Sequence, residues 1–407
     1  MSRFMIGAAA VTLLLLSGCS AEENINDSDD LTGQLSDVEI QLSARDKTGG
    51  VSLSTRAAIE SDEETVSGIG VFGLAREKNL NLNPRPADPI WFALPGETLE
   101  DKYETGCILH NVESNKVGND IVWANPLAHY YYPLTRFYAY DFYGYYPYQA
   151  TSDLVETPTS VKANYVIDGT MDLLWGRATS TEEYAYSAQY FRRNSENNAK
   201  KPSIPLQHLL TRLVFYAVPW ESYEGSAAAE GREAAYKMSS LMSVTEVQLV
   251  DVYTHCSVTI ADKSNLNMAL TDRITLTNQT KETLYLRDVD GSELDPVHLP
   301  AVSDLTDEII SKGIQVGESM MLYPDSEYTI RLKLTMDGYY DTEKGEDVPG
   351  EEFTSEIPLI LTFNDENKTF EQGKKYIVKL MVSGPRAVEL QATVEDWEEE
   401  EGPTILM

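Results

Sequence analysis

Five histidines (His110, His129, His208, His255 and His298) and three cysteines (Cys19, Cys107 and Cys256) are the side chains of this sequence best suited to bind a metal or act as nucleophile or base. None stands at the HxxxH, HExxH or CxxC spacing that puts two ligands on one helix face or in one knuckle. The sequence also contains no GxSxG elbow, no phosphate-binding glycine loop after a strand and no dinucleotide fingerprint. The histidines therefore read as structural groups with hydrogen-bond partners, and the chain is expected to be no enzyme and to need no cofactor or metal. The run Asp288-Val289-Asp290-Gly291-Ser292-Glu293-Leu294-Asp295 comes nearest to a calcium loop. Its glycine falls two positions early for an EF-hand, so Asp290-Gly291 reads as a hairpin turn. Cys107 and Cys256 lie far apart in sequence, and a disulfide and two buried thiols both remain open for them.

Cys19 belongs to a different chemistry. Arg3 supplies one positive charge, an apolar and small-residue run extends from Phe4 to Leu16, and Leu16-Ser17-Gly18-Cys19 follows. The run is too short to span a bilayer and has the layout of a secretory signal over residues 1–18. The small pair before the cysteine resembles a lipobox. That resemblance implies cleavage before Cys19 and lipidation of its sulfur, including palmitate-type acylation, with each buried methylene contributing about 0.8 kcal/mol to membrane anchoring. From Ser20 to Asp30 the chain is acidic and lacks aromatics, as suits a solvated tether.

The chain has 407 residues, 42% of them hydrophobic, enough for two or three domains with cores of their own. Its 32 basic and 65 acidic residues give a net charge of −33, a field that repels phosphate backbones and excludes nucleic acid as a partner.

The elements that must position any site are strands. Val38 to Ala44 alternates at period two, with Val38, Ile40, Leu42 and Ala44 pointing inward. It ends at Arg45 and runs into the loop Asp46 to Gly50. Ser67 to Ala75 reads as a central strand, Asn79 to Pro95 as proline-rich loop or edge, and Asp120 to Trp123 and Phe137 to Pro147 as aromatic strands. A second half opens at Ile204, and Glu221 to Ala235 forms a loop or a short helix. Alternation then recurs at Val244–Leu249, Val258–Ile260, Ile274–Leu276, Tyr328–Leu334, Ile357–Phe363, Tyr376–Val382 and Val388–Val394. So many short strands predict two β-sandwiches. The rings from Tyr130 to Tyr148 have a rival use, since exposed aromatics stack on sugars; that would make the chain a monomeric surface glycan-binding lipoprotein. Half of the rings on a period-two strand must face a core, however.

Three patterns carry a family resemblance: Phe137-Tyr138-Ala139-Tyr140 with Tyr145-Tyr146-Pro147; Met171-Asp172-Leu173-Leu174 with Leu206-Gln207-His208-Leu209-Leu210-Thr211-Arg212-Leu213; and Phe370-Glu371-Gln372-Gly373-Lys374-Lys375-Tyr376 with Val394-Glu395-Asp396-Trp397. With the lipobox, this order resembles the fimbrillin family of type V pilus subunits, although Leu206 stands where the family usually has Phe. The resemblance implies an all-β fold of two transthyretin-like β-sandwich domains with few short helices. It also implies an outer-membrane lipoprotein whose first strand is removed by an arginine-specific protease, and a groove then filled by a strand of another fimbrial subunit.

On this sequence the expected parts are a lipidated tether and removable strand over residues 19–56, an N-terminal sandwich over 57–203 and a C-terminal sandwich over 204–407. Arg56 is the favoured cut, with Arg45 second. The donor strand lies between Ala387 and Met407 and faces its groove with Val388, Leu390, Ala392 and Val394; the alternative is an internal edge strand. Cys19→Ala is expected to abolish fatty-acid labelling of the chain, and label retained in that variant would show that the anchor lies elsewhere.

Overall fold

The computed structural model describes residues 35–46, 66–78, 90–93, 106–134, 138–181, 185–194, 200–219, 240–300 and, with short breaks, 304–396. Cys19, Arg56, the insert 221–235, most of the proline-rich segment and the acidic tail lie outside the described residues.

The strands in chain order are β1 Leu35–Glu39, β2 Leu42–Asp46, β3 Val66–Lys78, β4 Cys107–Val117, β5 Asp120–Trp123 and β6 Tyr131–Pro133. There follow β7 Tyr138–Tyr146, β8 Leu154–Thr157, β9 Ser160–Val166, β10 Leu174–Ala178 and β11 Ser203–His208, with a helix α1, Ala188–Arg193, between the last two. The later strands are β12 Thr211–Pro219, β13 Met242–Tyr253, β14 His255–Asp262, β15 Ile274–Leu276, β16 Lys281–Tyr285, β17 Val297–His298 and β18 Ile314–Leu322. The chain continues through β19 Glu327–Met336, β20 Tyr339–Asp341, β21 Glu346–Val348, β22 Glu351–Phe363, β23 Glu366–Lys368, β24 Lys374–Gly384 and β25 Ala387–Asp396. The expected all-β class is the one observed.

The first sheet closes on itself in the order β10-β11-β2-β5-β4-β3-β7, with β7 returning to β10. Its wall has a core on each side. Val71, Ala75, Tyr140, Phe142 and Leu174 point into the ring, while their neighbours Phe72, Leu74, Tyr143, Tyr145 and Trp175 point out into a second core. That outer core is shared with the sheet β15-β14-β9-β8 and with the strand orders β18-β12-β24-β25 and β16-β13-β19-β22-β23. Period-two burial is plainest in β19, where Tyr328, Ile330, Leu332, Leu334 and Met336 face inward.

Polar clamps tie the ring to the outer core. Asp141, 1% exposed, receives Arg177 Nε at 3.0 Å and Arg76 at 3.3 Å, and Arg177 also donates to the Leu266 carbonyl. Trp175 donates to the Ile260 carbonyl at 2.8 Å, and the buried Arg273 guanidinium lies 3.8 Å over its ring. The two parts of the central family-like pattern meet at the passage between halves: His208 Nδ1 stands 2.7 Å from Asp172 Oδ2, both side chains buried, and Leu209 N donates to the Leu173 carbonyl. The C-terminal pattern is a packed turn in which Phe370 sits between Tyr328 and Tyr376, and the Tyr376 hydroxyl accepts from Glu371 N. Gly373 takes φ +68°, a left-handed conformation that a side chain resists, and a Cβ there would meet the His208 carbonyl oxygen at 3.2 Å.

The segment expected as one strand from Val38 to Ala44 is split. β1 ends at Glu39 and β2 begins at Leu42 because the chain changes partner between them, from β6 to the ring. The stretch from Ile204 to Val218 is likewise two strands: β11 is paired inside the first sheet, and β12 opens the later ones.

Asp141→Ala leaves a buried site with two largely covered guanidiniums and no carboxylate, and is expected to cost about 3–5 kcal/mol in denaturant unfolding. Val155→Ala, at an exposed site, is expected to change stability by less than about 0.5 kcal/mol. Cys107 and Cys256 are free and buried; burial raises both thiols, Cys256 to about 12. Peptide mapping after alkylation at pH 8 is expected to find both unlabelled in the folded chain and labelled in denaturant.

Candidate functional site

The site is the slot in the ring that β2 occupies. β2 lies between β5 and β11, antiparallel to the first, with Leu42 opposite Ile121 and Ser43 opposite Asp120. It is parallel to the second, with Ser43 opposite Ser203 and Leu206 opposite Asp46. Ser43 N donates to the Pro202 carbonyl at 2.9 Å and Ala44 N to the Asn119 carbonyl at 3.1 Å, which extends the pairing beyond the strand ends. Ile40, Leu42 and Ala44 are at most 2% exposed and meet Ile121, Ile204 and Leu206 inside the ring. Burying a side chain of the size of Ile40 or Leu42 contributes about 1.5–3 kcal/mol. Each net ladder bond adds about 0.5–1.5 kcal/mol. A five-residue strand is thus well held, though by few contacts.

β1 extends the same segment over the end of the ring. Ile40 N donates to the Tyr130 carbonyl at 2.7 Å, and Val38 is half-buried against the ring core. The two acidic residues of β1 are both paired: Glu39 with His129 at 2.7 Å and Asp37 with Arg192 of α1 at 2.6 Å. Arg192 holds the exposed Asp37 carboxyl below its ordinary range, chiefly through their hydrogen bond. Such surface pairs orient a segment more than they stabilise it.

Arg45, expected where the strand gives way to its loop, lies inside β2, its backbone opposite Pro205 of β11. Cys19 and Arg56 fall outside the described residues. The strand carrying Val388, Leu390, Ala392 and Val394 is β25, an edge strand bonded to β24 from Lys374↔Asp396 to Gly384↔Ala387. Leu390 and Ala392 are partly buried against the outer core. The slot and β25 are thus two separate places in this chain. Sequence reading missed the slot walls, because Ile121, Ile204 and Leu206 look like any other strand residues. Only pairing distinguishes them.

The remaining candidates are accounted for by local contacts. His110 meets Glu156 at 2.7 Å, His298 meets Ser243 at 2.9 Å and His255 meets Thr254 at 3.0 Å. In the Asp288–Asp295 run the carboxylates serve the turn: Asp290 accepts from Ser292 N and Asp288 from Asp295 N, and Gly291 N donates to the Asp288 carbonyl. Within the aromatic cluster Tyr132, Tyr138, Tyr140, Phe142, Tyr143 and Tyr145 are buried, while Tyr130, Tyr131, Tyr146 and Tyr148 are partly exposed.

The sequence matches the family described as fimbrillin-like over residues 55–397. No curated protein matches it. Among solved structures, a candidate cell adhesion protein from Bacteroides uniformis ATCC 8492 is similar at 15% identity, with 88% of this chain and 97% of that one covered and a TM-score of 0.42. A candidate cell adhesion protein from Bacteroides ovatus ATCC 8483 gives 12% identity, 90% and 99% coverage and a TM-score of 0.44. The fimbrial anchor protein Mfa2 from Porphyromonas gingivalis gives 11%, 88%, 97% and 0.30. Matched along most of its length, the chain belongs to the fimbrillin-like family.

Proposed function

We propose that this chain is a structural and adhesive subunit of a cell-surface fimbria, made as a lipoprotein and assembled by β-strand exchange. Lipidation at Cys19 delivers the precursor to the outer membrane. An arginine-specific protease then cuts after Arg56, with Arg45 as the second position, and frees the rest of the chain from the tether. The cut removes β1 and β2 together.

The observation that carries this reading is the place of β2 in the wall, where one N-terminal strand supplies the ladder partners of both β5 and β11. Its removal opens the ring between two unpaired strand edges, with Ile121, Ile204 and Leu206 lining the gap. An extended segment with alternating apolar residues satisfies both edges and the core at once, which is the physics of β-strand addition. β25, with Val388, Leu390, Ala392 and Val394 on one face, is the donor. Arg56 is preferred over Arg45 because the Arg45 backbone must first leave its ladder before a protease can accept it. The partners are other fimbrial subunits, the maturation protease and the outer membrane; neither cofactor nor nucleic acid takes part.

Amino-terminal sequencing of protein taken from cell surfaces is expected to begin at Ala57. The variants R56A and R45A/R56A are expected to reach the surface and stay monomeric on unboiled gels. Polymers of ordinary length built from R45A/R56A chains that still begin at Cys19 would overturn the reading.

A further inference from the structure

The segment that plugs the ring has a counterpart at the other end of the chain. Val38 to Asp46 reads Val-Glu-Ile-Gln-Leu-Ser-Ala-Arg-Asp, and Val388 to Asp396 reads Val-Glu-Leu-Gln-Ala-Thr-Val-Glu-Asp. Val, Glu, Gln and the final Asp coincide, while Ile/Leu and Ser/Thr keep size and polarity. Leu42 and Ala44 become Ala392 and Val394, so bulk moves one pleat along the same face. The faces agree as well: Ile40, Leu42 and Ala44 fill the ring, and Leu390 and Ala392 pack on the outer core. Among the described residues β25 is paired with β24 on one side only, an edge position.

We infer that β25 of a second copy of this chain enters the slot as a replica of β1 and β2, in the same direction and register, with Val388 in the place of Val38 and Asp396 in the place of Asp46. The inference rests on the strand-exchange reading above and adds which residue goes where. The incoming strand then runs parallel to β11 and antiparallel to β5. Thr393 falls opposite Asp120 and Ser203, Ala392 opposite Ile121, and Val394 opposite Ile204, as Ser43, Leu42 and Ala44 do now. Glu389 takes the position of Glu39, opposite Tyr131 and within reach of His129. Ala387 stands where Asp37 would, so the exposed pair with Arg192 is not rebuilt.

Two features make the replica a fit occupant. Glu395 replaces Arg45, so the copy carries no arginine in this segment for an arginine-specific protease to cut once the strand has left its ladder. The apolar face of β25 serves either its own core or a neighbour's slot, never both at once. A slip of one residue would turn that face to solvent, so the registers that compete are those shifted by two.

Disulfide trapping separates them. Asp120 and Thr393 are both exposed, and residues facing each other across an antiparallel pair have Cα atoms about 4.5–5.5 Å apart, within disulfide range. Full-length chains carrying D120C with T393C, D120C with Q391C, or D120C with E395C are expressed in the native cell, and surface polymers are run without reductant. The expected result is a covalent ladder with T393C alone, collapsing to monomer on reduction. Each single-cysteine variant is expected to polymerise without a ladder, which shows that it folds. A ladder with Q391C or E395C in place of T393C overturns the register and leaves strand exchange standing. Polymers with no cross-link in any pairing overturn the inference. Failure of the unsubstituted chain to polymerise overturns the exchange reading and this inference with it.

Discussion

A strand in a wall must find a neighbour for each backbone edge, because an unpaired amide or carbonyl facing protein costs as much as a lost hydrogen bond. In the first half of this chain that requirement runs in a circle. Seven strands satisfy it, and the circle closes through β2, which lies near the chain's start and returns to β3 only after residues 47–65. The arrangement of everything else in that half follows. β11 must leave the ring at His208 and cross to β12, and β1 must turn away at Ile40 to cover the ring's end beside β6 and α1.

The wall itself is rigid for a second reason. β3, β7 and β10 are buried on both faces, so their side chains alternate between two cores instead of between core and water. Aromatic residues suit this position, since each fills a large volume with few rotatable bonds. Three arginines finish the work: Arg76, Arg177 and the buried Arg273 are tied to Asp141, to carbonyl oxygens or to the Trp175 ring, and each joins chain segments distant in sequence. The strand that closes the ring is therefore held in a wall whose strands β3, β7 and β10 are packed on both faces.

Much of this was legible before any coordinates. The period-two runs at Val38–Ala44, Tyr328–Leu334 and Tyr376–Val382 mark strands because burial on one face selects apolar residues at alternate positions. The inward set Ile40, Leu42 and Ala44 was readable for the same reason. Partner choice was not. Nothing in the letters distinguishes β11 as a neighbour of β2, since pairing over about 160 residues of separation leaves no local mark. Arg45 looked like the end of its strand because glycines follow it closely, whereas the ladder runs one residue further, to Asp46 opposite Leu206. His208 looked like any structural histidine, and its partner Asp172 became visible only when β10 and β11 came together.

The ring has an odd number of strands, and that has a consequence of parity. Neighbours that alternate direction can close a circle only in even number; with seven, one seam must join strands running the same way. Here six seams are antiparallel and the odd one is β2 against β11. Ladders of that kind are slightly weaker per residue. The geometry thus deposits the mismatch of the whole circle on one boundary of β2, the strand of the ring that comes first in the chain.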